Sequence, residues 1–561
     1  MGIGTVLLER GLIGREQLEA ALTEHRDTGE RLDRILVRLG FVSRGQVLEA
    51  IGEQFHMPVV DLVTADVPQD VLDMLPAKLV FKRGCVPIGR DNGTLTVATS
   101  DPFEATALDE LRLLAGCTIE LALADEDDLR SFIRSHYGVG TDTLDAMSEG
   151  LDDQVQAVDG DTSAEVEQAQ EASVIRLVND LLSEAISDRA TDVHIEPYED
   201  RLHVRYRIDG VLTRANVPTT IHRFGAAIVS RLKIMANLNI AEKRKPQDGR
   251  ISFRHRPVGG PVQEFDLRVS VIPMLFGEGV VLRVLSKTAV LLSLDDLGMP
   301  AVVEDPWAGM ISRPYGILLV TGPTGSGKST TLYASLNQIV SDAIKVITVE
   351  DPVEYHVAGV NQIQVNSRVG LTFADGLRSI LRHDPDVVMV GEIRDRETAE
   401  TAVQASLTGH LVLSTLHTND APGATTRLLD MGVEPFLVSS SVEGVLAQRL
   451  VRRVCQACAE RYVPDAADLP PGFELDAGAE LVRGRGCREC RQTGYRGRVG
   501  IYELLTLSEP LREMVMERAN APTIARAALE RGELRTLRMD GDEKARAGVT
   551  TVAEVARALT A

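Results

Sequence analysis

Gly316-Ile317-Leu318-Leu319-Val320-Thr321, followed by Gly322-Pro323-Thr324-Gly325-Ser326-Gly327-Lys328-Ser329-Thr330, decides the fold of this chain. An apolar run stops at a glycine-rich loop, and a helix-forming stretch opens at Ser329-Thr330-Thr331-Leu332. The loop matches G-x-x-x-x-G-K-[ST] and sits in the strand, loop, helix order that the motif requires. Its glycines let backbone N–H groups turn inward around phosphates. Lys328 reaches the β- and γ-phosphates, and the Ser329 hydroxyl joins a Mg²⁺ shell. The stretch predicts an α/β protein that binds a nucleoside triphosphate, with Gly322 to Thr330 as the cradle.

Downstream, strands and helices alternate as a parallel sheet with right-handed helical crossovers requires. Lys345-Val346-Ile347-Thr348-Val349-Glu350-Asp351 reads as a buried strand ending in acids, and Val387-Val388-Met389-Val390-Gly391-Glu392 as another. Leu411-Val412-Leu413-Ser414-Thr415-Leu416-His417 is a third, ending in His. Open α/β sheets bind ligands at the carboxyl edges of their strands, where such acids hold Mg²⁺ or orient an attacking water. Three polar strand ends behind one phosphate loop point to hydrolysis as well as binding.

At 561 residues the chain predicts roughly three to four domains, each able to bury its own core. With 44% hydrophobic, 25% charged and 4% aromatic residues it reads as an ordinary globular protein. No apolar run is long enough to span a membrane, and Met1-Gly2-Ile3-Gly4-Thr5 is not a basic region leading into an apolar core, which predicts a cytoplasmic location. A formal charge of −22 disfavours non-specific binding to nucleic acid, which needs clustered Lys and Arg.

Of the six cysteines, Cys85 and Cys117 stand alone in apolar surroundings and read as small buried hydrophobes. Cys455-x-x-Cys458 and Cys487-x-x-Cys490 form two knuckles beside basic residues. In a reducing compartment four such thiolates predict a tetrahedral Zn²⁺ with all positions filled by protein, a structural metal and not a catalytic one.

No Lys or Arg lies between Arg134 and Arg176, while acids accumulate from Asp142 to Glu171 among Gly, Ser, Thr and Gln. That composition predicts a flexible acidic linker. Before it, Ile3-Gly4-Thr5-Val6-Leu7-Leu8-Glu9-Arg10-Gly11-Leu12-Ile13 recurs as Leu32-Asp33-Arg34-Ile35-Leu36-Val37-Arg38-Leu39-Gly40-Phe41-Val42. Each copy predicts a short helix ended by its Gly and a second helix begun near Gly14 or Ser43. Leu79-Val86, Thr94-Thr99 and Ile119-Ala124 read as strands around a helical Glu104-Leu114. After the linker come an amphipathic helix at Val174-Ala190, strands at Asp192-Pro197 and Leu202-Ile208, and a helix at Ile221-Asn237. A turn at Pro246-Arg250 and strands at Phe265-Ile272 and Val280-Leu285 follow.

Ile347 to Tyr355 resembles the Asp box, Leu377 to Asp395 the Walker B region and Thr408 to Asn419 the His box of the type II/type IV secretion ATPases. With the phosphate loop, the cysteine knuckles and Gly494-Tyr495-Arg496-Gly497-Arg498, the chain from residue 172 to about 510 resembles the assembly ATPases of type II secretion and type IV pili. The resemblance implies a RecA-like core, ATP with Mg²⁺, a homohexamer and docking on an inner-membrane platform protein. It places Lys328 and Ser329 on phosphate and Mg²⁺, Glu350 on the lytic water and Glu392 at the metal, with His410 and His417 sensing the γ-phosphate. Arg205 and Arg207, in Val204-Arg205-Tyr206-Arg207-Ile208-Asp209-Gly210, match the arginines that an N-terminal half of such ATPases lends to the nucleotide; a planar guanidinium suits charge spread over phosphoryl oxygens. Arg268 and Arg283 match further family arginines. Thr191 stands where the family usually has Ser.

The N-terminal repeat resembles the tandem cyclic di-GMP-binding domain of some of these ATPases, whose copies begin Arg-Leu-Gly and close with Gln. Copy two keeps Arg31, Leu32 and Gln54 but has Asp33 for Gly; copy one has Gly2 for Arg and His25 for Gln. A carboxylate where backbone should approach a phosphate is repulsive. The resemblance implies a retained fold and leaves cyclic di-GMP as a candidate ligand of Arg31 and Gln54.

The expected organisation is an N-terminal regulatory or docking domain over 1–140 (repeat 1–60, small α/β unit 61–140) and an acidic linker over 141–172. An arginine-supplying α/β half follows over 173–290, then a RecA-like domain over 291–561 with a zinc subdomain at 452–500 and C-terminal helices at 506–561. The expected function is an ATP-hydrolysing motor that assembles pilin or pseudopilin subunits. The alternatives are a retraction motor, which as a rule lacks the tetracysteine insertion, and a nucleic-acid translocase.

Overall fold

The structure, a computed structural model, describes residues 3–28, 31–63, 65, 67–101, 111–138, 140–141, 143–144, 171–257, 261–286, 292–465, 469–475 and 478–560. The chain forms two compact units, Met1–Leu285 and Ser286–Ala561.

The first unit opens with two helical hairpins, α1 (Ile3–Glu9) with α2 (Arg15–Thr28) and α3 (Leu32–Arg38) with α4 (Arg44–Phe55). Gly11 and Gly40 follow the first helix of each hairpin at φ +68° and +72°, which glycine adopts without a Cβ penalty. Ser43 caps α4 in a reciprocal box with Gln46, and Gln17 does part of that work for α2 by accepting from the Gly14 amide. Leu7, Ile13, Ala21, Ile35, Leu36, Val42 and Val47 bury the shared face. The sequence repeat is a structural one.

A three-stranded sheet follows, β1 (Cys85–Asp91), β2 (Thr94–Thr99) and β3 (Thr118–Leu123), antiparallel then parallel. The expected strand at Leu79-Val86 is mostly a helix, Ala77–Arg83, ended by Gly84 in the left-handed region. A short apolar run does not distinguish the two, and the glycine stop decides it. Cys85 is buried and Cys117 half-buried. Most of the expected helix at Glu104-Leu114 and most of the expected acidic linker lie outside the described residues.

Helix α5 (Ala172–Ser187) then packs Val174, Leu177, Val178, Leu181 and Leu182 on a six-stranded sheet. Its strands are β4 (Ala190–Pro197), β5 (Leu202–Ile208), β6 (Val211–Arg214), β7 (Gln247–His255), β8 (Gln263–Met274) and β9 (Gly277–Ser286), ordered β6-β5-β4-β9-β8-β7. The expected turn at Pro246-Arg250 is instead the start of β7. Gly249 serves a close approach: a Cβ there would lie 2.7 Å from the Ala236 carbonyl oxygen. Gly249→Ala is expected to cost about 1–3 kcal/mol by displacing that backbone. An unchanged midpoint in urea unfolding of the full chain would count against the contact.

The second unit is an eight-stranded sheet. Its members are β10 (Gly316–Thr321), β11 (Val346–Glu350), β12 (Val360–Gln364), β13 (Val387–Val390), β14 (Leu411–Leu416), β15 (Val442–Val454), β18 (Tyr495–Thr506) and β19 (Leu534–Arg535). The order is β12-β11-β13-β14-β10-β15-β18-β19. From β12 to β15 the strands are parallel. β10, β11, β13 and β14 are buried along their whole length, as strands covered on both faces must be. β18 and β19 depart from the parallel expectation: the chain leaves β15 into the cysteine region and returns as a direct antiparallel partner, with no helical crossover to reverse it. The cysteine region adds a small ribbon, β16 (Ala459–Tyr462) with β17 (Leu481–Gly484). Four helices between Glu509 and Thr560 complete the unit. No helix among the described residues is long and apolar enough to cross a membrane.

Candidate nucleotide site

β10 delivers its last residue, Thr321, to the carboxyl edge of the sheet, where the loop turns into helix α6 (Lys328–Ile339). Gly322, Gly325 and Gly327 have φ of +148°, +79° and +90°. The loop is braced by Gln448 of β15: a Cβ on Gly322 would lie 2.5 Å from the Gln448 carbonyl oxygen, and one on Gly327 2.8 Å from its amide nitrogen. Gln448 in turn accepts from the Thr331 hydroxyl at 2.7 Å.

Lys328 donates to the carbonyls of Gly322 and Pro323 at 2.9 and 3.0 Å, and burial lowers its ammonium to about 8. The Ser326 hydroxyl is buried with no hydrogen-bond partner. An orphaned donor inside a glycine cradle, beside a helix N-terminus and an ammonium, fits a polyphosphate. Ser329 is exposed at the first turn of α6, open to a cation shared with that phosphate.

Four further groups were expected at this edge, and three are there. Glu350 ends β11 with 4% of its surface exposed. Its carboxylate accepts from the Thr348 hydroxyl at 2.6 Å, the Gln362 amide at 3.1 Å and the Tyr333 hydroxyl. Glu392 follows β13 and pairs with Arg394 and, at 3.3 Å, with His417 at the end of β14. Burial alone would raise the Glu392 carboxyl; Arg394 and His417 outweigh it and hold it below its ordinary value. His410 does not join them. It precedes β14, whose register pairs Leu411 with Gly316 and Leu416 with Thr321, so it lies at the amino edge of the sheet. Six residues of strand, roughly 20 Å, separate it from His417. There its Nδ1 sits 2.8 Å from the Ala405 carbonyl, closing the end of a helix and not facing the phosphate loop.

Arg205 and Arg207 lie on β5 of the first unit, both half-buried. Their acidic neighbours are on β4 and not at Asp209: Arg205 pairs with Glu196, and Arg207 lies 3.7 Å from Asp192. Arg207 also donates to the Gly210 carbonyl at 3.2 Å, and Arg283 of β9 reaches Asp192 from the other side at 3.2 Å. Arg268 lines a groove with Arg250, Arg283, Asp192 and Asp248.

The four knuckle sulfurs lie within 4.8 Å of one another. Cys455 to Cys487 and Cys458 to Cys490 are both 3.8 Å, and Cys487 to Cys490 is 3.7 Å. Zn–S bonds of about 2.3 Å in a tetrahedron put sulfurs about 3.8 Å apart, so the cluster fits such an ion. The amides of Cys487 and Gly494 aim at the Cys490 sulfur from 3.1 and 3.2 Å, as donors to a thiolate would.

In the N-terminal repeat Arg31 forms a two-pronged pair with Asp33, at 3.1 and 2.9 Å, and reaches Asp101 at 2.6 Å. The Asp33 substitution therefore holds the guanidinium that the resemblance assigns to a ligand. Gln54 lies on α4; Gly2 is outside the described residues. Tyr333, Gln362 and Gln448 touch the site without having been singled out. None of the three carried a sequence signal; Gln448 stands in a strand that also holds Glu443, Arg449, Arg452 and Arg453.

Residues 167–557 match the family described as Type II/IV secretion system protein, and residues 55–143 match the MshEN domain, beginning just past Gln54. The chain is 43% identical to the type IV pilus assembly ATPase PilB of Myxococcus xanthus, over 99% of this chain and 98% of that protein. It is 50% identical to the type II secretion system protein E of Pseudomonas aeruginosa, over 82% of this chain and 91% of that one. Among solved structures, the ATPase DotB of Yersinia pseudotuberculosis superposes with a TM-score of 0.50 at 20% identity, covering 68% of this chain and 92% of that one, which bears on fold alone.

Proposed function

The chain belongs to the Type II/IV secretion system protein family, whose members here matched are ATPases, and from that premise we propose that it is the ATP-hydrolysing motor for assembly of a type IV pilus or a type II secretion pseudopilus. The observation that carries the reading is the match along almost the whole chain to a protein named as a pilus assembly ATPase.

The assigned roles follow from chemistry at the sheet edge. The loop amides, Lys328 and the Ser326 hydroxyl bind and orient the polyphosphate of ATP. Ser329 and Glu392 would hold Mg²⁺, which neutralises charge on the phosphate oxygens when bound. Glu350 accepts the proton of the attacking water, and His417 stays tied to Glu392 near the terminal phosphate. Arg205 and Arg207 are assigned to the transferring phosphoryl group, where a fork of N–H donors meets spread negative charge. The four cysteines are assigned to a structural zinc.

The proposal extends to a homohexamer on the cytoplasmic face of the inner membrane, docked on a platform protein. Residues 1–140 serve regulation or docking, 141–172 a linker, 173–290 the arginine-supplying half and 291–561 the catalytic domain. The MshEN match keeps cyclic di-GMP as a candidate regulator of the N-terminal region.

The test is deletion of the gene, with surface pili, secreted enzymes, DNA uptake and pilus retraction scored separately. Loss of pili or of secretion, restored by the gene but not by its Lys328→Ala variant, is the expected result. Normal piliation and secretion with defective retraction or DNA uptake would replace the assembly reading by one of its alternatives.

A further inference from the structure

Three side chains from three elements converge on Glu350. The Tyr333 hydroxyl, from α6, donates to Oε2; the Thr348 hydroxyl, on β11, and the Gln362 amide, on β12, donate to Oε1 at 2.6 and 3.1 Å. A carboxylate offers about four acceptor positions, so one on Oε2 is left.

Two of these donors hold the segment that follows the acid as well. The Tyr333 oxygen accepts from the Glu354 amide at 3.2 Å, and its ring meets Tyr355 edge-on with centroids 6.0 Å apart. Gln362 donates to the Tyr355 carbonyl at 2.9 Å and accepts from the Val357 amide at 3.0 Å. Every polar atom of the Gln362 amide that reaches Glu350 or this segment is therefore fixed in orientation. Burial and the Glu350 charge raise the Tyr333 hydroxyl above its ordinary value, so it stays a donor.

We infer that Tyr333 and Gln362 are positioning residues for hydrolysis: they hold the Glu350 carboxylate in one orientation and leave a single acceptor position for the attacking water. The inference rests on the reading of Glu350 as the base. Tyr333 has a second tie to the site, because it stands on the helix whose first residues are Lys328 and Ser329. The element that binds the phosphate thus also aims the carboxylate.

The experiment compares full-length Tyr333→Phe, Gln362→Leu and Glu350→Gln with the parent in Mg²⁺-ATP turnover, and measures binding of a non-hydrolysable ATP analogue. Tyr333→Phe keeps the ring and its packing and removes two hydrogen bonds, the one donated to Glu350 and the one accepted from the Glu354 amide. It is expected to lower kcat by about tenfold to a hundredfold, the scale of a misplaced reacting group. KM and analogue affinity should change by less than about twofold, as for an interaction made in the transition state alone. Gln362→Leu should act in the same direction. In a Glu350→Gln background, Tyr333→Phe should add nothing to the residual rate, since the two act as a unit. Native kcat in Tyr333→Phe, analogue affinity falling in step with kcat, or a full further loss in the Glu350→Gln background would each overturn the inference while leaving the base assignment standing. Native turnover in Glu350→Gln alone would remove the base assignment and the inference with it.

Discussion

Replacing Glu350 with Gln is expected to lower ATP turnover by about 10²- to 10⁴-fold, the range a positioned general base supplies, with Mg²⁺-ATP still bound. The substitution keeps the shape of the side chain and one of its two acceptor ends, the other becoming a donor. Its amide oxygen can still accept from Thr348 and Gln362 or from Tyr333, so the fold around a residue that is 4% exposed has little reason to change. What is lost is proton affinity. Binding is carried by other groups: the loop amides, Lys328 and Ser326 sit on the next strand but two, across β13 and β14. Steady-state turnover with a coupled phosphate assay, beside a nucleotide-binding titration, separates the two quantities. Native turnover would move the base elsewhere at the edge, with Asp351 and Glu392 as carboxylates there; loss of binding would mean that Glu350 shapes the loop.

The second large effect is expected at the cysteines. The region between Cys455 and Gly494 has a small apolar core, Phe473 and Leu481 packed with Ala545, Val552 and Val555 of the last two helices. Its knuckles meet through glycines: a Cβ on Gly484 would lie 2.1 Å from the Gly494 carbonyl oxygen. With so little burial, metal binding and folding are one equilibrium there, as in small zinc modules generally. The purified chain is expected to carry about one zinc, the content of a Cys₄ site. Cys458→Ser, or removal of metal by a chelator, should expose the region to limited proteolysis while fragments of the parallel sheet persist. Elemental analysis and mass mapping of the first cleavage sites check this. A metal-free protein with the same cleavage pattern as the parent would refute the structural role.

The parallel core was readable because each of its signals is local. β10 and its loop are contiguous, and β11, β13 and β14 are mainly apolar runs, broken only by Thr348 and Ser414-Thr415, with polar ends. The helical repeat was readable for the same reason, since Gly11 and Gly40 mark their own helix ends. His410 shows where locality misleads. It is as near to the strand as His417 in sequence, but the two flank opposite ends of it, and only direction along the strand tells which edge each occupies. Gly249 misled differently. Beside Asp248 it has the composition of a turn, yet its cause is a neighbouring backbone that no short window contains. Of the donors around Glu350, Thr348 is two residues back on the same strand and face, but Tyr333 and Gln362 lie on elements joined to it only by the fold, so no spacing rule points to them. The paired state of Arg31 was half visible: Asp33 is two residues away, whereas Asp101 arrives from the sheet.

β15 runs from Val442 to Val454 and is paired with β18 from Gly444 to Val454. Gln448, midway along it, packs against Gly322 and Gly327, and Cys455, the first cysteine of the cluster, follows its last residue. From Gln448 to that end is roughly 20 Å of strand hydrogen-bonded to β18, with a register shift between Arg452 and Val454. A shift of the phosphate loop that moves Gln448 would be passed along this strand toward the cysteine tip. In mechanical terms β15 and β18 form a lever, with the phosphate loop at one arm and the four-cysteine cluster at the other.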